Sequence, residues 1–315
     1  MKKFLLFTVL SAAIAVGPTL TLAQHGDLNK IPHGINPNSN SPNFPTEYSA
    51  TTGGTRSVSK MTYRGGPLIN TPTIYIIWYG NWNQSNGSDT AAGQQLIRDW
   101  AGGIGGTDYY KLNTSLSVAN YPISGNVAFT SGSNEITDNG TSTSLSDTDI
   151  QNIVSRNVGG FGKLPYNANG VYFVITSSNV NASSGFCTNY CGWHTYGNVT
   201  AGHVRYSFVG NANRCLSACA AQTKSPNNNP GIDAAISVLS HELEEANTDP
   251  DINAWLDSRG AENADKCAWT FGHAQWQEPN GSFANMNFGG HDWLIQRNIL
   301  KSGSSFFCMV NQFQN

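Results

Sequence analysis

Charge is what this sequence has least of. Only 12% of its 315 residues are Asp, Glu, Lys or Arg, about half the ~25% of an ordinary soluble domain. With 17 Lys+Arg against 20 Asp+Glu and no basic block, there is no positive stripe to neutralise a phosphate backbone, so nucleic acid is excluded as an expected partner. Long apolar runs are missing too. Beyond the first residues none approaches the roughly 20 positions a membrane span needs, and no membrane anchor is expected. The first 186 residues hold no cysteine, and no internal repeat points to a solenoid. What is present, 39% hydrophobic residues with eight Trp, suffices for a packed core.

The N-terminus sets the expected compartment. Lys2 and Lys3 precede an apolar run from Phe4 to Val16, broken by Gly17 and Pro18, and Thr21-Leu-Ala23 supplies small residues for cleavage. This pattern is a secretory signal over residues 1–23. Its removal leaves 15 basic and 20 acidic residues, a net charge of −5. Residues 24–62, rich in Asn, Pro, Ser, Thr and Gly, read as a low-complexity arm, a linker or pro-segment. Residues 63–315 read as one domain, monomeric and secreted. For an exported chain, Cys187, Cys191, Cys215, Cys219, Cys267 and Cys308 are expected as disulfides. Cys267 with Cys308 is the expected bridge, while the two C-x3-C pairs link internally or to each other.

Within the domain, Thr73–Tyr79 and Gly170–Thr176 are β-branched and aromatic runs that predict buried strands, and Asn126–Thr130 predicts another. His203–Val209 alternates, as a strand with one wet face does. Helices are predicted from Thr90 to Ala101, stopped by Gly102 and Gly103, and from Ser146 onward. The fold class is α+β.

Chemistry concentrates on the predicted helix Gly231–Asn247, capped by Asn229 with Pro230 in its first turn. His241 and Glu245 are four apart and project from one face, so they can grip one cation, with Glu242 beside them as the base for metal-bound water. This is the zinc-peptidase motif H-E-x-x-H with its second His replaced by Glu. Glu242, Glu244, Glu245, Asp249, Asp251, Asp257, Glu262 and Asp265 fall within 24 residues of an otherwise acid-poor chain. Such crowding calls for a cation or a very exposed surface. Glu262 is the expected third ligand, arriving from a later segment as in glutamate zincins. Asp265 is expected to orient His241, or to exchange roles with Glu262, and Asp249 is the third choice. The expected ion is Zn2+, with Ca2+ or Mn2+ as harder-ligand alternatives.

Tyr63-Arg-Gly-Gly-Pro-Leu, Ile76–Trp82, Val171–Val180, Gly185–Gly192 and the second C-x3-C pair resemble the EXORDIUM or phosphate-induced protein family of secreted cell-wall proteins. His241–Pro250, Ala254–Asp257 and Glu262–Cys267 resemble microbial relatives with a zincin-like segment. The resemblance implies an extracellular protein without an established reaction. It also implies a zincin-like mixed sheet over an active-site helix, with His203–Val209 as the cleft-edge strand to which an extended peptide adds.

The expected function is therefore a secreted zinc peptidase, the alternative a non-catalytic cell-wall binding or signalling protein with a relic or structural metal site. Peptide or cell-wall material is the expected partner. His291 and His273 are candidates for oxyanion or substrate contact, and His194 and His203 for the same task or for completing the metal shell. Trp78, Tyr79, Trp82, Trp193, Trp255, Trp269, Trp276 and Trp293 are available for a sugar-stacking platform, as in a carbohydrate-binding module, or for the core.

Overall fold

The computed structural model describes residues 31–37 and 57–311; the signal segment 1–23 and most of the arm lie outside the described residues. Its frame consists of strands β1 (Ile31–Gly34), β2 (Met61–Tyr63) and β3 (Thr73–Tyr79), helix α1 (Ala91–Gly103), β4 (Glu135–Thr137), α2 (Asp147–Asn157), β5 (Gly170–Thr176), β6 (Tyr190–Val199), β7 (Gly202–Gly210), α3 (Pro230–Thr248) and β8 (Trp255–Asp257). Six strands make one mixed sheet in the order β1-β6-β7-β5-β3-β4. The run from β7 to β4 is parallel, and β6 and β1 are added antiparallel at the other end. The central β5 is buried at every position, which requires cover on both faces. Period-two alternation along β6 shows where the cover lies. A Cβ at Gly192 would meet Val238 of α3, whereas one at Gly197, of opposite parity, would meet Gln151 of α2. Helix α3 thus lies on the face to which Gly192 and His194 point.

The predicted strands at 73–79 and 170–176 and all three predicted helices are present, each helix with a side-chain N-cap, at Asn229 as expected. Thr90 caps α1, Ser146 forms a capping box with Asp149 on α2, and Asn229 accepts from Ile232 N on α3. Four readings need correction. Gly102 and Gly103 do not stop α1, which includes both and is capped at Ile104. Asn126–Thr130 is not a strand: Ala128 bridges Thr73 in isolation, and the chain turns at 130–134 before pairing as β4. His203–Val209 is inside the sheet, not at its edge, because β6 intervenes. Cys191, Gly192 and Gly197 dilute the β-branched signal of β6 and hide it. Part of the stretch read as an arm is built into the fold, since β1 pairs with β6 and β2 with β8, and Met61 lies in the core. Of the two pairings left open for the C-x3-C cysteines, the structure has the one that bridges them to each other, as Cys187–Cys215 and Cys191–Cys219, alongside the expected Cys267–Cys308.

The second small core, around Met61, Trp255 and Phe306, is tied by a buried carboxylate. Asp257 accepts from the amides of Arg259 and Ala261 and pairs with Lys266. Burial alone would raise this carboxyl, but Lys266 and the two amides outweigh it and hold its pKa at about 2. A depressed carboxylate contributes stability that is present above its unfolded value and lost as pH falls through the folded one. Asp257→Asn is therefore expected to lower Tm at pH 7, with the deficit closing between pH 4 and pH 2. A deficit of equal size at both ends of a pH-melting series contradicts this.

Candidate metal centre

From Ala235 to Thr248 every residue of α3 is buried. A helix buried all round is ordinarily apolar, yet this one carries His241, Glu242, Glu244 and Glu245 at 0% exposure. Buried charge on this scale must be paired, protonated or bound to a cation.

Three further segments bring partners. β6 supplies His194, whose Nδ1 lies 3.3 Å from Glu242 Oε2 and 3.5 Å from Glu245 Oε2. The loop after β8 supplies Glu262, whose Oε1 is 3.5 Å from His194 Nε2. The same loop supplies Asp265, whose Oδ1 stands 3.5 Å from His241 Nε2, itself 2.9 Å from Glu245 Oε1. Two donor sets result, His194/Glu242/Glu245 and His241/Glu245/Asp265, with Glu245 common to both. Separations of 3.3–3.5 Å are long for hydrogen bonds. They match the roughly 3.4 Å edge of a tetrahedron whose ligands stand about 2.1 Å from a central zinc.

The residues fit a cation on an independent observation. His241 Nδ1, Glu242 Oε1 and Glu262 Oε2 are buried without a hydrogen-bond partner. Orphaned buried acceptors cost several kcal/mol together if nothing binds them. Imidazoles mixed with carboxylates suit Zn2+ or Mn2+, whereas Ca2+ prefers oxygen donors alone. Protons compete for the same atoms. Burial pulls the His194 ring down, but the charge of Glu262 and the Glu242 and Glu245 contacts leave it well above its ordinary value. His241 is likewise lowered by burial yet carried to about 10, chiefly by Glu245. Burial raises Glu262 well above the carboxylate range and Asp249 to about 6.

The sequence-predicted residues converge, with altered partners. Glu262 faces His194 rather than His241, and Asp265 stands at His241, the exchange of roles the sequence left open. Glu242 is itself a member of a donor set rather than a base standing beside one. Asp249 closes the end of α3, its Oδ1 accepting from Asn253 N and Ala254 N at 2.6 Å each. Of the other histidines nominated from the sequence, only His194 joins. His291 is held by Asp99 and Asn227, His203 pairs with Asp251, and His273 is exposed. The aromatic platform dissolves: Trp78, Tyr79, Trp193, Trp255 and Trp293 are buried, and only Trp276 of that set is well exposed. Sequence reasoning missed His33, fully buried on β1, its ring centroid 4.1 Å from that of His241. Its one signal was a histidine between Ile31 and Ile35 in an otherwise polar arm.

Protein stripped with chelator is expected to take up Zn2+ with release of protons, and with affinity that falls as pH is lowered. Glu245→Ala, which removes the shared donor, should weaken uptake at least about 100-fold, beyond the 10–100-fold typical of outer-shell changes. Calorimetry in two buffers of different ionisation heat measures both. Uptake without proton release, or unaffected by Glu245→Ala, contradicts the assignment.

Residues 61–291 match the family model described as the phosphate-induced protein 1 conserved region, a span that contains every member of the two donor sets. Among relatives, Protein EXORDIUM-like 3 of Arabidopsis thaliana is 28% identical over 270 residues, covering 75% of this chain and 77% of the relative. Protein EXORDIUM-like 5 of the same plant is 25% identical over 293 residues, covering 77% and 76%. No solved structure matches. With more than half its length inside that family's region, the chain belongs to the phosphate-induced protein 1 family and has EXORDIUM-like proteins as relatives.

Proposed function

We propose that this is a secreted, extracellular binding or signalling protein of the EXORDIUM type, acting on peptide or cell-wall material. In it the His–Glu cluster holds a divalent cation, Zn2+ by its donor chemistry, as a structural site. The observation that carries the reading is burial: His194, His241, Glu242, Glu245 and Glu262 are all at 0% exposure. A hydrolytic zinc needs an open coordination position within reach of substrate, whereas a structural one is closed by protein. A bound cation would neutralise the carboxylates and join β6, α3 and the loop after β8 through one centre. The signal over residues 1–23 supports export, and among the described residues no helix is long and apolar enough to cross a membrane.

The hydrolytic reading, a zinc peptidase with Glu242 as base, keeps one supporting observation. Burial lifts the Glu242 carboxyl to about 7, where a general base works best. Glu242→Gln separates the two. In the structural reading the purified protein holds metal, melts at a lower temperature in chelator, and leaves a broad peptide library uncut in both forms. Cleavage by wild type that is lost in Glu242→Gln while metal content is kept overturns it.

A further inference from the structure

The end of the main sheet next to the cluster is closed by four residues. β1 runs antiparallel to β6 with Ile31 opposite His194, Pro32 opposite Trp193, His33 opposite Gly192 and Gly34 opposite Tyr190. Among the described residues it is an edge strand, bonded on one side only. Pro32 has no amide to offer, a residue that sheets tolerate at an edge and not within. The next described strand, β2, belongs to another sheet and starts 27 residues after Gly34.

The segment nevertheless sits in a made groove. Trp269 donates from Nε1 to Gly34 O at 3.0 Å and sets its ring 5.1 Å from the His33 ring. Asn36 donates from N to Ala218 O at 2.7 Å and from Nδ2 to Ala220 O at 3.0 Å. His33 reaches inward, against His241 and Gln296. Gly192, opposite it, leaves the room: a Cβ there would stand 2.6 Å from Val238 Cγ1 and 3.2 Å from Glu242 Oε1.

We propose that the β6 edge, walled by Trp269 and the 218–220 segment, is an acceptor groove for an extended peptide strand, and that residues 31–36 of the chain itself fill it as an exchangeable occupant. A partner fitting the same groove is an extended peptide with an imidazole or carboxylate side chain at the place of His33, delivered onto the metal cluster while its backbone pairs with β6. Displacing β1 uncovers the sheet edge and His241 together. The side-chain preference rests on the metal reading above; the backbone pairing does not.

The test uses the full mature chain with a specific protease site placed within residues 40–50, cut after folding and freed of the released arm by gel filtration under mild denaturant, then returned to buffer. The probe is a dye-labelled peptide of residues 28–37. Saturable binding to the cut protein and none to the uncut is expected, with His33→Ala in the peptide weakening it at least 10-fold. In the uncut chain, His33→Ala should speed hydrogen exchange of the β6 amides while the three disulfides and the circular dichroism stay unchanged. An arm fragment that cannot be exchanged from the cut protein, equal binding to cut and uncut forms, or arm exchange only between two copies overturns the proposal. Equal binding of wild-type and His33→Ala peptides by zinc-treated protein refutes the metal reading of the side-chain preference and leaves the groove standing. Metal uptake with no peptide exchange does the reverse.

Discussion

Everything in this molecule turns on acidic and imidazole side chains held out of water at the C-terminal half of one helix. Ionised carboxylates are not buried together without compensation, because the desolvation penalty of each exceeds what mutual hydrogen bonding returns. Glu242, Glu245 and Glu262 share one interior with His194 and His241, and several of their atoms find no partner in the protein. The helix therefore works as a core element only when positive charge, as protons or as a cation, is supplied to that spot. The same condition explains why a chain so poor in charge spends eight of its 20 acidic residues between Glu242 and Asp265.

The disulfides sit beside segments that bring the donor groups. Cys191–Cys219 lies three residues from His194 and ties the strand that carries it to the segment leading into α3; Cys187–Cys215 doubles the tie. Cys267–Cys308 lies two residues beyond Asp265 and pins the loop that brings Glu262 and Asp265. Loops of 28 and 41 residues are each constrained by about 3–4 kcal/mol in the unfolded chain. These links tie down the strand and the loop that bring His194, Glu262 and Asp265, whereas β1, which carries His33, has no cysteine.

The sequence made the central strands legible because β3 and β5 are uninterrupted β-branched and aromatic runs between turn residues. It made the helix legible because caps and periodicity agree. Spacing also identified His241, Glu242 and Glu245 as neighbours, since helical geometry fixes an i, i+4 pair. Glu262 and Asp265 could be nominated but not assigned, because which of two acids three residues apart meets which imidazole depends on the turn of a loop. His194 could be nominated for the metal shell but not told apart from the other candidate histidines, and His33 was missed, for a different reason. Both arrive through strand pairing between distant segments, and the strands that carry them are marked by Gly, Cys and Pro rather than by alternation.

The sharpest measurement is an anomalous difference map from crystals of the mature protein grown with zinc, with data collected on either side of the zinc edge. The account predicts a peak at the junction of His194, His241 and Glu245, with Glu242 and either Glu262 or Asp265 turned toward it. No peak there, with the same side chains bonded to one another or to water, would contradict it.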